Sequence, residues 1–191
     1  KYIPVAAGMA GGSSDAAAVL YGLNRMYGLG LSQEQLMERG VKIGADVPYC
    51  IMRGTALAEG IGERLTSLPP MPPCNILVAK PGISVSTKYV YENLHANDLR
   101  PEQHPDIDGI LDALKKQDLR GMAEALRDGN VLETVTASAY PVIGKLKETM
   151  EENGAAVALM SGSGPTVFGI YEDRMQARRA MAAIRKSRLA K

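Results

Sequence analysis

The chain is poor in large aromatic and sulfhydryl side chains. Its 191 residues include no tryptophan, one phenylalanine (Phe168) and two cysteines. The core must therefore be built from Ala, Val, Ile, Leu and the ten methionines. Cys50 and Cys74 have neither the paired spacing of a zinc site nor that of a disulfide framework, which favours a reduced, cytoplasmic compartment.

Two further absences exclude classes of partner. No apolar run reaches the length of about eighteen residues that a membrane-spanning helix needs, and no signal peptide is visible. The 22 Lys and Arg are balanced by 21 Asp and Glu, so no basic excess points to nucleic acid. We therefore expect small-molecule partners, with no membrane and no nucleic acid among them.

Both familiar phosphate-binding patterns, G-x-x-x-x-G-K-[ST] and G-x-G-x-x-G, are also absent. Instead, residues 3–18 read IPVAAGMAGGSSDAAA, in which glycines precede two serines and a helical pattern. We predict a helix over about Ser13–Asn24. The apolar stripe of this helix would comprise Ala16, Val19, Leu20 and Leu23.

Glycine-rich backbone that runs into a helix N-terminus presents N–H groups and partial positive charge to an anion. Spacing alone leaves a second interpretation open, because glycine loops serve many purposes. In that interpretation the segment is a tight loop, capped by Ser13 or Ser14 and packed against the interior.

Asp46 is a second candidate functional residue, within the segment G-A-D-V-P-Y that begins at Gly44. Because Pro48 disfavours helical backbone at Val47, we expect Asp46 to lie on a turn. The residue pattern by itself favours a structural role, in which the carboxylate caps backbone N–H groups. Tyr49–Met52 has the composition of a strand.

A cluster of four prolines at positions 69, 70, 72 and 73 predicts a domain boundary. The first domain would span residues 1–68, the linker residues 69–73 and the second domain residues 74–191. In the second domain a strand at 75–80 leads to a helix that Thr87 would cap, with its tyrosines packed. A second glycine-rich segment, Ser161–Thr166, lies between strands predicted at 156–160 and 167–171, as a hairpin turn would.

Four segments in the same order resemble the GHMP kinases, the family of galactokinase, homoserine, mevalonate and phosphomevalonate kinases. Residues 4–16 are similar to the family's second motif, P-x-x-x-G-[LM]-x-[GS]-[GS]-S-[SD]-[DA]-A, and residues 160–166 to its third, M-S-G-S-G-[PS]-[TS]. The segments G-A-D-V-P-Y and K-P-x-x-x-V-S-T-x-x-V-Y resemble one branch of the family. Members of that branch phosphorylate the 2-hydroxyl of a diphosphocytidyl-linked methylerythritol.

The resemblance implies an α/β (α+β) fold, in which part of a ribosomal protein S5 domain 2-like domain precedes a ferredoxin-like C-terminal domain. It implies an ATP- and Mg²⁺-dependent phosphotransferase with an alcohol acceptor, acting in isoprenoid (terpenoid) precursor biosynthesis as a monomer or homodimer. Two alternatives stay open. One is another small-molecule kinase of the family, of mevalonate or homoserine type, and the other is a non-catalytic nucleotide-binding remnant.

The resemblance also assigns roles to residues. Asp46 would be the catalytic base, Thr87 and Tyr91 would bind the substrate, and Tyr91 would stack on cytosine. Gly162, Ser163 and Gly164 would brace the phosphate loop, and Ser13 or Ser14 would reach Mg²⁺. The ATP phosphates would be bound by Pro4, Val5, Ala6, Ala7, Gly8, Met9, Ala10, Gly11, Gly12, Ser13 and Ser14.

The family's first motif supplies a lysine that pairs with the catalytic Asp, and it has no counterpart in these 191 residues. The chain begins with Lys1, and residues 2–5 have strand-like composition from the start. We therefore expect the N-terminal part of a longer protein to be missing, and the chain by itself to be an inactive fragment.

Overall fold

The computed structural model describes residues 3–4, 6–99 and 104–190, which form two compact units. The first unit contains residues 3–4 and 10–70, and the second contains residues 6–9, 71–99 and 104–190. The glycine-rich segment is therefore divided, with its middle in the second unit and its end in the first. In the described ranges, no helix is long and apolar enough to span a bilayer.

The first unit consists of three helices followed by a hairpin: α1 (Gly11–Met26), α2 (Gln33–Gly40), α3 (Val47–Met52), β1 (Thr55–Glu59) and β2 (Arg64–Leu68). The two strands pair antiparallel along their whole length. A capping box fixes the start of α2, because Ser32 Oγ accepts from Gln35 N while Gln35 Oε1 accepts from Ser32 N. The predicted first helix is confirmed, and it is longer than predicted at both ends.

Two details predicted for this unit are wrong. Tyr49–Met52 is helical, because Pro48 lies in the first turn of α3, where its missing N–H breaks no helical hydrogen bond. The predicted apolar stripe of α1 is not its buried face. Val19 and Leu23 are 59% and 41% exposed, whereas the small Ala17 is buried in the helix, which packs against α2 and α3.

The second unit is a three-stranded antiparallel sheet with helices. Its elements are β3 (Asn75–Ala79), α4 (Thr87–Glu92), a 3-10 helix (Ala96–Asp98), α5 (Ile107–Lys116), α6 (Leu119–Leu126), α7 (Glu133–Ala139), α8 (Val142–Glu152), β4 (Val157–Met160), β5 (Val167–Tyr171) and α9 (Arg174–Ser187). Strand β5 lies between β3 and β4. The chain order is strand, helices, two strands, helix, as in the first five elements of a ferredoxin-like β-α-β-β-α-β unit.

The core of the second unit lies between this sheet and helices α8 and α9. Helix α8 buries Ile143, Leu146 and Met150 at the spacing of one helical face. Gly169 in β5 makes room for Met150, because a Cβ there would lie 3.0 Å from the methionine sulfur. The core is thus built largely from aliphatic side chains and methionine, as the shortage of aromatics predicts.

Tyr171 is the aromatic exception in this core, where it is fully buried and its hydroxyl donates to Met150 O at 3.4 Å. Burial raises the pKa of Tyr171 to about 12, whereas an unfolded chain releases this proton near pH 10. The folded state therefore keeps a proton that the unfolded state loses. The resulting stability is fully present below about pH 10 and is lost as the pH rises towards 12.

We expect the free energy of unfolding to fall by about 1 kcal/mol more in the unchanged chain than in Tyr171→Phe between pH 9 and 11. Urea unfolding at a series of pH values measures the difference. The Phe variant also loses one hydrogen bond, but that loss is an offset independent of pH. Parallel pH curves for the two proteins would contradict the assignment.

Candidate functional site

Left-handed backbone alternates along the glycine-rich segment. Ala6, Gly8 and Ala10 have φ values of +51°, +68° and +47°, whereas the residues between them, Ala7 and Met9, are not left-handed. Where left-handed residues alternate with right-handed ones, successive N–H groups turn towards one side and form an anion-binding concavity. Alanine adopts this conformation at a cost of about 1–2 kcal/mol, and backbone strain of this kind is concentrated at functional sites.

Helix α1 begins directly after this alternation, and no side chain caps it. Ser14 lies within the first turn, where its hydroxyl donates to Gly11 O at 3.0 Å. The interpretation in which Ser13 or Ser14 caps the loop is therefore wrong. The first N–H groups of the helix, with the helix dipole behind them, have the properties that bind phosphate. Of the predicted phosphate-binding residues, Val5 lies outside the described residues.

The turn at residues 161–164, between β4 and β5, lies against Gly8. Ser161 Oγ donates to Gly8 O at 2.6 Å, and a Cβ at Gly8 would overlap the carbonyl oxygen of Ser161. Gly162 also faces this residue, since a Cβ built on it would lie 4.0 Å from Gly8 Cα. The segment closes a hairpin, with Ser161 N donating to Thr166 O at 2.8 Å. The same segment therefore forms a hairpin turn and contacts Gly8.

Thr87 reaches the same turn from α4. Ser86 rather than Thr87 caps this helix, because Ser86 Oγ accepts from Tyr89 N. The Thr87 hydroxyl instead lies 2.8 Å from Ser163 Oγ, within hydrogen-bonding distance. The structure thus brings together Gly8, Thr87 and the turn at residues 161–164, which the sequence assigns to three different motifs.

Tyr91 projects from α4 and is 61% exposed, whereas Val90 is the buried residue of the helix. The interpretation of Tyr91 as a packed tyrosine is therefore wrong. An exposed ring on a helix has a free face, which a planar base can stack against. Tyr89, two residues earlier, is also exposed, to 45%.

Asp46 belongs to the first unit, where it immediately precedes α3. Its carboxylate makes no capping hydrogen bond, so the interpretation of Asp46 as a turn cap is wrong. Burial and, secondarily, the negative charge of Asp46 raise the pKa of the Cys50 thiol, which lies one turn further on. Asp46 itself is exposed.

The residues at the start of α7 and just before it support the turn at residues 161–164. The sequence analysis does not predict this role. Asn130 Nδ2 donates to Met160 O at 2.9 Å and to Gly162 O at 2.8 Å. Glu133 Oε1 accepts from Met160 N at 2.6 Å, while its other oxygen pairs with Lys147. The spacing Asn130-x-x-Glu133 is typical of a helix start, and it is the signal that could have revealed α7.

Among the residues described, no three His, Cys, Asp or Glu side chains are grouped as metal ligands. Mg²⁺ in phosphoryl-transfer sites is bound by few protein groups together with the phosphates of the substrate. Ser13 and Ser14 both lie in the first turn of α1, where Ser14 Oγ donates to Gly11 O.

Comparison with known proteins gives the family. A family model described as GHMP kinases N terminal domain matches residues 1–54, and one described as GHMP kinases C terminal matches residues 92–190. The chain is similar to the 4-diphosphocytidyl-2-C-methyl-D-erythritol kinases of Lachnospira eligens (62% identity over 173 residues) and Geobacillus sp. (51% over 178 residues). These alignments cover 91% and 92% of this chain but 59% and 60% of the relatives. The chain therefore spans about 60% of their length.

Solved structures agree. A crystal structure of 4-(cytidine 5'-diphospho)-2C-methyl-D-erythritol kinase has a TM-score of 0.76 and 35% identity, covering 97% of this chain and 65% of that one. Homoserine kinase from Cytophaga hutchinsonii has a TM-score of 0.82 at 20% identity, covering 97% and 63%, which shows a shared fold. The predicted α+β fold and the family resemblance are thus confirmed. The chain belongs to the GHMP kinases.

Proposed function

We propose that this chain is part of a kinase that transfers the γ-phosphate of ATP to the 2-hydroxyl of 4-diphosphocytidyl-2-C-methyl-D-erythritol. The observation that carries the proposal is the backbone of the glycine-rich segment, in which left-handed Ala6, Gly8 and Ala10 lead into the uncapped start of α1. The choice of acceptor is supported by the relatives that are named for it. The reaction would take place in the cytoplasm, on a monomer or homodimer.

The nucleotide is held mainly by backbone. N–H groups of the alternating segment and of the first turn of α1 bind the phosphates, so no lysine is needed in the loop. Mg²⁺ supplies charge neutralisation to the phosphates when it is bound. Ser13 or Ser14 would hold it through its hydroxyl.

The chemical step breaks one P–O bond and forms another. The acceptor oxygen bonds to the γ-phosphorus, the bond to the bridging oxygen breaks, and ADP leaves with that electron pair. The hydroxyl proton passes to the carboxylate of Asp46. The proton can be lost late in a loose transition state.

The acceptor is held by α4. Tyr91 stacks on the cytosine ring, and the Thr87 hydroxyl donates to or accepts from the substrate. Stacking requires an exposed aromatic face, and Tyr91 has one.

The proposed activity is tested by joining the N-terminal segment of the Lachnospira eligens relative to this chain; we refer to the product as the hybrid protein. We expect the hybrid protein to phosphorylate 4-diphosphocytidyl-2-C-methyl-D-erythritol, with ADP release and ³¹P NMR as readouts. The 191-residue chain alone, which spans about 60% of the length of these relatives, should not. Turnover of mevalonate or homoserine instead would replace the proposed acceptor, and no turnover of any acceptor would favour the nucleotide-binding remnant.

In the hybrid protein, Asp46→Asn should lower kcat by about 10²–10⁴-fold, the range for losing a positioned general base. The KM for ATP should stay unchanged, because backbone binds the phosphates. Asp98→Asn is the matched control, since Asp98 is also exposed and lies outside the candidate site. A near-normal kcat for Asp46→Asn would show that Asp46 is not the base.

Gly8→Ala tests the phosphate-binding backbone. Gly30→Ala is its matched control, because Gly30 has nearly the same φ, +66°, but has open space where a Cβ would lie. Both variants add about 1–2 kcal/mol of backbone strain. Only Gly8→Ala displaces the Ser161 carbonyl, so it should raise the KM for ATP about tenfold or more in the hybrid protein. Equal KM values for the two variants would contradict the assignment.

Tyr91→Ala should raise the KM for the diphosphocytidyl substrate about 5- to 150-fold, because base stacking contributes about 1–3 kcal/mol. Tyr91→Phe should have almost no effect, since the ring alone makes the contact. Tyr89→Ala removes a second exposed ring from the same helix and should leave this KM unchanged. An effect of similar size from Tyr89→Ala would mean that both substitutions perturb α4, and Tyr91 would lose its assigned role.

A further inference from the structure

The turn at residues 161–164 presents two serine hydroxyls to two different partners. Ser161 Oγ donates to Gly8 O at 2.6 Å, and Ser163 Oγ lies 2.8 Å from Thr87 Oγ1. In the proposed function Gly8 belongs to the nucleotide-binding backbone and Thr87 to the acceptor-binding helix. One turn therefore contacts a residue from each substrate's binding segment.

Ser163 is itself firmly held. It is 7% exposed, and its carbonyl accepts from Thr136 Oγ1 at 3.2 Å, on a threonine that is fully buried in α7. On the preceding residue, the carbonyl of Gly162 accepts from Asn130. The hydroxyl of Ser163 thus projects from backbone that α7 and the segment before it fix on one side.

Thr87 has less support of its own. It is exposed and occupies the first position of a six-residue helix, whose cap is Ser86. A threonine inside a helix often fixes its hydroxyl on a carbonyl one turn earlier, but at the first position the chain before it is not helical. The contact with Ser163 is therefore what selects one rotamer for the Thr87 hydroxyl.

We propose that Ser163 is a positioning residue, which holds the Thr87 hydroxyl in the orientation that the acceptor meets. This inference rests on the proposed function of Thr87. The two serines of the turn have different roles. Ser161 orients the nucleotide-binding backbone at Gly8, and Ser163 orients the acceptor-binding side chain of Thr87. The two serines therefore affect different substrates, although they are two residues apart.

Kinetics of the hybrid protein test this division. Ser163→Ala should lower kcat/KM for the diphosphocytidyl substrate about 2- to 12-fold, the range for one hydrogen bond, and leave the KM for ATP unchanged. Ser161→Ala should raise the KM for ATP and leave kcat/KM for the diphosphocytidyl substrate unchanged. Ser187→Ala, which removes an exposed hydroxyl bonded within α9, should change neither. A merely structural role for Ser163 predicts equal damage to both substrates.

A double-mutant cycle gives a sharper test. Thr87→Val removes the same hydrogen bond from the side of Thr87, which is exposed. If Ser163 acts through Thr87, adding Ser163→Ala to Thr87→Val should cause no further loss of kcat/KM. Additive losses overturn the inference.

NMR of the 191-residue chain separates this inference from the proposed function. Three-bond couplings to the Thr87 methyl should report one χ1 rotamer in the unchanged chain and in Ser161→Ala, but rotamer averaging in Ser163→Ala. A single Thr87 rotamer in Ser163→Ala overturns the inference, whatever the acceptor. A hybrid protein that phosphorylates none of the acceptors overturns the proposed function, and the NMR result then decides the Ser163–Thr87 contact by itself.

Discussion

The second unit depends on the close approach of two backbone segments that are far apart in sequence. Gly8 packs directly on the turn at residues 161–164, at a distance that leaves no room for a side chain. This contact, with the bond from the Ser161 hydroxyl, connects the nucleotide-binding backbone of the proposed function to the β4–β5 hairpin. It fixes the place of Gly8, and the left-handed residues on either side of Gly8 then set the directions of their N–H groups.

The contact between Gly8 and the turn at residues 161–164 depends on the β4–β5 hairpin, and charged side chains stabilise that hairpin. Glu133 binds the Met160 amide and the Lys147 ammonium together, and both charged side chains are largely buried. Removal of one partner of such a pair costs about 3–5 kcal/mol, because the other charge remains buried. Asn130 holds two carbonyls at the same place. The polar groups of α7 and of the segment before it therefore act on the candidate site indirectly, by fixing the backbone of the hairpin.

The regular elements were largely predictable from the sequence, whereas the features that shape the site were not. Strands β1, β2, β4 and β5 follow from short β-branched and apolar runs between glycines and prolines, and α5, α6, α8 and α9 follow from their apolar spacing. Helix α7 was missed because Thr134, Val135 and Thr136 are β-branched and have low helix propensity. Its burial against the hairpin outweighs that propensity. Tyr49–Met52 has the composition of a strand but is helical, because Pro48 is compatible with a first helical turn as well as with an extended chain.

Motif resemblance located the candidate site residues, but their surroundings could be read only from the structure. Nothing in the sequence indicates that Ala6 and Ala10 are left-handed, because alanine seldom is. Nor could the sequence decide whether Asp46 caps a turn or whether Tyr91 is packed, since both interpretations use the same residues. Hydrogen bonding and exposure decide both questions, and both depend on side chains distant in sequence.

The two left-handed alanines also affect the entropy of binding. Glycine at these positions would relieve the strain, but it would give the segment many more backbone conformations when nothing is bound. Alanine restricts those alternatives before any anion arrives, so less conformational freedom remains to be lost on association. The strain at Ala6 and Ala10 thus preorganises the segment. The folded chain carries a constant enthalpic cost from this strain, and binding of an anion then has a smaller entropic cost.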